Sequence, residues 1–168
     1  MTPPPSPTAP LALDAIDLRL LDALQRDASR SNQALAEQVG VSAATSLRRI
    51  KRLSDAGVIE RTVAVLSPQA LGFGLTAIVE VTLDVQAAER LAAFEARAVA
   101  EAGVQQCYRS SGGPDFVLIA QVADMAAYQA LAQRLLGDDA NVRNVRCFFS
   151  VNRAKCGLQI ALPAPAAD

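Results

Sequence analysis

Ser42-Ala43-Ala44-Thr45-Ser46-Leu47-Arg48-Arg49-Ile50-Lys51-Arg52-Leu53-Ser54-Asp55-Ala56-Gly57 is the stretch from which the rest of the chain can be read. Wound as a helix at about 100° per residue, it places Leu47, Ile50 and Leu53 about 60° from one neighbour to the next, with Ala43 and Ser46 beside them. Ser42, Thr45, Arg48, Arg49 and Arg52 fall on the opposite arc. Ser42 is a good N-cap and Gly57 a good stop. A helix that buries a small apolar face and offers hydroxyl and guanidinium groups on the other suits a DNA groove. A surface helix with a solvated basic face has the same pattern, so the flanking chain must decide.

Upstream, Asp14 opens a helix to about Arg26, with Leu13, Ile16, Leu20, Ala23 and Leu24 on one face and Arg19, Asp22 and Arg26 pointing away. Ser31 caps a second helix whose buried edge is Leu35 and Val39, and Gly40 ends it. A short turn, Gly40 to about Ala43, then leads into the basic helix. Three short helices so spaced form a helix-turn-helix. Downstream, Val58 to Leu66 is rich in β-formers, with room for a small wing-like strand pair. Ser67-Pro68 and Gly72 to Gly74 punctuate the chain after it.

The remainder alternates in a different rhythm. Leu75, Ala77, Val79, Val81 and Leu83 form one face of a strand. A helix from about Gln86 to Ala102 follows, with Leu91, Phe94 and Ala98 inward. Val104 to Ser110 is a second strand and Phe116 to Val122 a third. Asp124 caps a helix with Tyr128, Leu131 and Leu135 inward, ended by Gly137. Val142 to Val151 is a fourth strand, with Val145, Cys147, Phe149 and Val151 on one side. The order βαββαβ predicts a ferredoxin-like domain, a four-stranded antiparallel sheet with two helices on one face. Its bare face displays Ile78, Tyr108 and Phe148 or their neighbours, and an apolar face left open invites a second copy of the chain.

The expected class is therefore α+β. Its parts are a disordered proline-rich tail (1–10), a helix-turn-helix domain of winged-helix-like type (11–59), a linker (60–74), the βαββαβ domain (75–163) and a short tail (164–168). With 51% apolar residues in 168, two packed cores are affordable. Residues 1–66 carry 8 basic and 7 acidic side chains, and residues 67–168 carry 8 and 10. A DNA contact would thus be a local patch, not a whole-protein field. The absence of histidine excludes a histidine triad and a histidine metal site. The 3 cysteines show no metal-ligand spacing. No metal or cofactor is expected. No secretory signal and no run of about 18 apolar residues is seen, so no membrane span is expected and the expected location is the cytoplasm. No acid–base pair, activated nucleophile or Walker-type loop converges, so an enzyme is not expected.

Two sites carry the chemistry. The start of a recognition helix enters the major groove, which puts Ser42, Ala43, Ala44 and Thr45 nearest the bases. Arg48 and Arg49 can reach bases or phosphates, with a bidentate arginine–guanine pair worth about 1–3 kcal/mol of discrimination. Lys51 and Arg52, further along, are placed for phosphate. Ser31 and Asn32 either anchor a phosphate through backbone N–H groups or simply cap their helix. The second site is the loop Ser110-Ser111-Gly112-Gly113-Pro114-Asp115. Its glycines permit positive φ and close approach, its N–H groups can receive an α-carboxylate, and Asp115 can accept from an α-ammonium group. The same residues also suit a plain β-turn with Asp115 bonded to the backbone.

The whole arrangement resembles the Lrp/AsnC (feast/famine) transcriptional regulators across residues 13 to about 163. The resemblance is carried by Leu13-Asp14-Ala15-Ile16-Asp17, Leu24-Gln25-Arg26-Asp27, Leu35 to Ser42, Leu47 to Leu53 and Ala56-Gly57-Val58-Ile59. In the second domain Gly112-Gly113-Pro114-Asp115-Phe116 is similar to the family's Gly-x-x-Asp-aromatic loop, and the tail Lys155 to Pro163 is closer to the leucine-responsive branch. Ser46 departs from the pattern, standing where many relatives carry Cys or Val, as do Ala43 and Ala44, where Pro or larger polar residues are frequent. The resemblance implies a sequence-specific regulator on double-stranded DNA, built from dimers that assemble to an octamer and modulated by a small amino acid bound between subunits at the 110–115 loop. The other function class consistent with the residues is an effector-independent DNA-packaging protein of low sequence specificity.

Overall fold

The computed structural model describes residues 11–137 and 141–163. The proline-rich stretch 1–10 and the tail 164–168, two segments of the sequence reading, lie outside the described residues. The chain divides into two compact units, residues 11–64 with 155–163, and residues 65–154.

The first unit holds three helices, α1 (Ala15–Arg26), α2 (Asn32–Val39) and α3 (Ala43–Asp55). Each begins on a side chain that satisfies an orphan helix donor. The Asp14 carboxylate accepts from the N–H of Ile16 and Asp17, the Ser31 hydroxyl from Ala34, and the Ser42 hydroxyl from Thr45. Gly40 ends α2 at φ 75°, a left-handed conformation that lets the chain turn sharply into α3. Leu20, Ala23, Leu35 and Val39 form the core, with Ile16, Leu24, Val41 and Ile50 packed around it.

Two expectations for this unit change. Leu47, placed on the apolar face of the basic helix, is 61% exposed. The buried face of α3 is centred instead on Ser46 and Leu53, with Ile50 alongside, so Leu47 lies beyond its edge. Val58 to Leu66 forms no wing: the segment has no regular secondary structure. Val63, Val65 and Leu66 stand exposed. A β-prone segment needs a neighbouring strand to complete its ladder, and among the described residues none lies beside it.

The tail Lys155–Pro163, read from sequence as the end of the βαββαβ domain, lies with the helical unit. The Gln25 amide closes on both backbone groups of Ile160, donating to its carbonyl at 3.0 Å and accepting from its N–H at 3.1 Å. Gln159 Nε2 donates to the Gln25 carbonyl at 3.3 Å.

The second unit is the βαββαβ domain: β1 (Leu75–Leu83), α4 (Ala88–Ala100), β2 (Val104–Arg109), β3 (Phe116–Val122), α5 (Met125–Ala132) and β4 (Val142–Phe149). All pairings are antiparallel and the strand order is β2-β3-β1-β4. Alternation decides which side chains are buried. Ala77, Val79, Val81 and Leu83 of β1, and Phe116, Leu118, Ala120 and Val122 of β3, lie under α4 and α5 with Phe94, Ala98, Leu131 and Leu135. Phe94 and Phe116 meet with ring centroids 4.8 Å apart. Tyr128 meets Phe149 edge-on at 5.0 Å. Val151, expected on the inner side of the fourth strand, is outside it and exposed. The strand ends at Phe149 opposite Ala77, and the last bond along this edge is from Ser150 N–H to the Thr76 carbonyl.

Within this unit, no described residue covers the opposite sheet face, as the alternation predicts. Tyr108 and Phe148 are exposed on it and Ile78 is half-buried. Arg146 lies 5.4 Å over the Phe148 ring and 3.4 Å from the Glu80 carboxylate.

Because Phe94 fills the centre of the helix–sheet core, Phe94→Ala is expected to lower the stability of this unit by about 3–5 kcal/mol. The check is the urea midpoint together with amide exchange of β1 and β3.

Candidate nucleic-acid interface and ligand loop

The position of α3 is set by charge as well as by packing. Asp17 lies on the first turn of α1, inside its apolar face, and its side chain is only 1% exposed. Its carboxylate receives three donors. Arg49 Nη1 reaches Oδ1 at 2.8 Å, Arg52 Nη2 reaches Oδ2, and the Asp14 N–H reaches Oδ2 at 3.2 Å. Arg49 Nη1 also bonds Asp14 Oδ2 at 2.7 Å. A carboxylate can be buried only when its lone pairs are taken by such partners. The Asp17 N–H and the Arg49 guanidinium hold the Asp14 carboxyl below its ordinary value, and the two carboxylates, Asp14 first, raise the Arg49 pKa.

This network revises the reading of Arg49. The wheel puts it on the open basic arc; the structure leaves its side chain 21% exposed and turns it toward α1. The clue in the sequence is that Arg49 falls about 40° from Leu53 on the wheel, at the border of the buried face. Arg52 keeps 45% exposure but is likewise paired with Asp17. The sequence pattern alone does not mark Asp17 as a site residue. Its signal is an acidic residue about 20° from Leu24, inside the apolar stripe of its own helix.

The other candidates fall into two groups. Ser31, Asn32 and Ser42 are engaged in local structure. Ser31 caps α2 and Ser42 caps α3, while Asn32 Nδ2 donates to the Ala43 carbonyl at 2.8 Å, tying the start of α2 to the start of α3. The Ser42 hydroxyl also donates to Thr45 Oγ1 at 2.9 Å. Ala44, Arg48 and Lys51 are exposed on the outer arc of α3, with Thr45 at its edge. Lys51 pairs with Asp55 at 2.8 Å, both side chains largely in solvent, and such a pair is weak. Arg48 has no partner among the described residues. Beneath this arc the Ser46 hydroxyl and Asn32 Oδ1 are buried without a hydrogen bond among the described residues.

The candidate ligand loop is the turn between β2 and β3. Ser110 closes it, with its N–H on the Asp115 carbonyl at 2.9 Å and its hydroxyl on the Pro114 carbonyl. Gly112 sits at φ 78° with open space where a side chain would be, so its requirement is conformational and not steric. Ser111, Gly112 and Gly113 are exposed, and none of their N–H groups is bonded among the described residues. Asp115 Oδ2 accepts from the Leu83 N–H at 2.7 Å, tying the loop to the end of β1. Its Oδ1 carries no such bond among the described residues. The turn and the exposed donors therefore occur together in one loop.

The acid dependence of the helical unit follows from Asp14. A carboxyl held below its ordinary 3.8 stabilises the folded state at pH values above that figure, and the stabilisation disappears as pH falls through the lowered value. The melting temperature followed by far-UV circular dichroism is expected to be flat near neutrality and to drop below about pH 4. Asp14→Asn should melt lower at neutral pH and respond less to acid.

Comparison with known proteins agrees with both halves. Residues 13–54 match the AsnC-type helix-turn-helix domain, and residues 76–160 match the Lrp/AsnC ligand binding domain. The chain is 37% identical over 150 residues to the leucine-responsive regulatory protein of Rhizobium meliloti, covering 89% of this chain and 96% of that one. It is 34% identical over 143 residues to the DNA-binding transcriptional activator DecR of Escherichia coli K12, covering 85% and 94%. Among solved structures, a transcriptional regulator of Neisseria meningitidis in complex with L-Met superposes with a TM-score of 0.84 at 29% identity, covering 89% of this chain and 97% of that one. An AsnC family regulator of Agrobacterium tumefaciens gives 0.84 at 30% identity, covering 89% and 97%. With a helix-turn-helix unit, a ligand-binding βαββαβ unit and relatives matched across nearly their full length, the chain belongs to the Lrp/AsnC family of transcriptional regulators.

Proposed function

We propose that the chain is a sequence-specific DNA-binding regulator that reads the major groove with the N-terminal half of α3 and responds to a small amino acid at the Ser110–Asp115 loop. The observation that carries the first part is the outer arc of α3. Thr45 offers a hydroxyl, Arg48 an uncommitted guanidinium, and Lys51 an ammonium group held only by a surface pair. Ala43 and Ala44 let the helix start approach the bases, where apolar contact with a thymine methyl is available. Ser42, Ser31 and Asn32 contribute by presenting helix-start N–H groups to phosphate. Arg49 and Arg52 support the helix from its inner side.

The loop reading rests on paired charges of the right sense. Backbone N–H groups of Ser111 to Gly113 suit an α-carboxylate, and the free oxygen of Asp115 suits an α-ammonium. The L-Met complex of the Neisseria relative supports an amino acid as the class of ligand. A helix-turn-helix of this size binds weakly alone, so the reading includes a homo-oligomer. The bare sheet face around Ile78, Tyr108 and Phe148 would join two copies, and further association toward an octamer would bring ligand loops together. Ligand that favours one assembly over another then changes DNA affinity, as linkage requires.

Two measurements test this. Arg48→Ala is expected to weaken binding to a selected operator by at least about tenfold, the upper part of one arginine–guanine contact, with the oligomer unchanged by light scattering. A ratio of specific to non-specific affinity near one would favour the packaging function instead. In a thermal-shift screen of the common amino acids, at least one is expected to raise the melting temperature. Asp115→Asn, which keeps an acceptor for Leu83 N–H but removes the charge, should abolish that shift while leaving the ligand-free melt near wild type. No shift for any amino acid on the wild type would remove the effector from the reading.

A further inference from the structure

We infer that Asp17 is a positioning residue that sets the rotation of the recognition helix and limits how many of its cations reach DNA phosphate. The inference rests on the reading of α3 as the DNA-contacting helix.

The geometry has two consequences. First, Arg49 and Arg52 lie three residues apart on α3, a rise of about 4.5 Å, and engage opposite oxygens of one carboxylate. One ion pair would locate α3 but leave it free to roll about its axis. Two donors at different heights and azimuths, closing on a single buried group of α1, oppose that roll. The angle so fixed is the one that turns Arg48, Ala44 and Lys51 outward. Arg49 is additionally held by Asp14 Oδ2 at 2.7 Å.

Second, the network divides four cations into two kinds. α3 carries Arg48, Arg49, Lys51 and Arg52. Arg49 and Arg52 are both paired with the buried Asp17 carboxylate, and Arg49 is held by Asp14 as well. Arg48 is uncommitted and Lys51 is held only at the surface. Non-specific affinity for duplex DNA scales with the number of phosphates a protein neutralises. Holding two of four cations against α1 lowers that sequence-independent part and leaves base contacts a larger share of the whole. Asp17 thus bears on specificity without touching DNA.

The salt dependence of binding separates this role from a purely structural one. Full-length wild type, Asp17→Asn and Asp17→Glu are titrated by fluorescence anisotropy with a labelled duplex of random sequence over a series of KCl concentrations. Asp17→Asn is expected to steepen the slope of log K against log salt by about one to two per protomer, as freed arginines move to phosphate. Asp17→Glu, which keeps the charge, should retain the wild-type slope. A structural residue alone would lower the melting temperature of Asp17→Asn with the slope unchanged, and that result overturns the inference while leaving the DNA reading intact. A second pair of variants does not depend on how Asp17→Asn folds. Arg48→Gln should reduce the slope by about one, and Arg52→Gln should leave it as in wild type. Equal reductions by both would also overturn it. Failure of the wild type to bind any duplex would instead refute the reading of α3 itself, and the inference with it.

Discussion

A carboxylate removed from water must find its counter-charges inside the protein, and in this chain the helical unit is arranged around that demand. Asp17 sits where a leucine would complete the apolar stripe of α1. Burial there is tolerable because Arg49, Arg52 and the Asp14 N–H all converge on its oxygens. Breaking such a cluster by removing one member would leave a charge without a partner in a low-dielectric setting, which is far more costly than never having built it. The apolar core of the unit gathers Leu20, Ala23, Leu35 and Val39, with Leu53 of α3 buried as well. The angle of α3 against α1 is set by packing and by this cluster together.

The sheet unit meets its requirements in another way. Its core is wholly apolar or aromatic, produced by strict alternation along β1 and β3 and by two helices laid across one face. The specific polar contacts lie at its rim. Asp115 fastens the β2–β3 turn to the end of β1, and Glu101 pairs with Arg134 at 3.0 Å. This leaves the turn at Gly112 and Gly113 with N–H groups unbonded among the described residues, on a base fastened by Asp115. The bare face of the same sheet keeps Tyr108 and Phe148 in solvent, with Arg146 laid over Phe148. A rigid platform, an open apolar face and a donor-lined turn thus belong to one domain, while the cationic helix belongs to the other. The division of labour follows from which unit can hold which kind of group.

Most helix ends were legible because capping is local. Asp14, Ser31, Ser42 and Asp124 each bond to a backbone N–H within three residues, and Gly40 takes the left-handed conformation that ends α2. Strands were legible because a half-buried strand repeats every two residues regardless of its partner. The borders of the buried faces were not legible in the same way. Leu47 and Arg49 flank the buried face of α3 on opposite sides, and hydropathy alone assigns the leucine inward and the arginine outward. The structure reverses both, since α1 brings a carboxylate to one border and, among the described residues, nothing covers the other. The expected wing failed for a related reason: Val58 to Leu66 has strand propensity, but propensity does not supply a neighbouring strand.

By itself, then, the amino-acid order determined the three helices of the first unit with the side chains that start them, the antiparallel βαββαβ order and the family to which the chain belongs. All of these depend on short-range periodicity or on contiguous motifs. Only the tertiary structure decided which cations of the basic helix are committed and which remain available, that Asp115 is bonded to Leu83, and that the tail closes on Gln25. Each of those outcomes depends on a partner far away in sequence, and a charge cannot be known as free or paired until the fold has brought its neighbour to it.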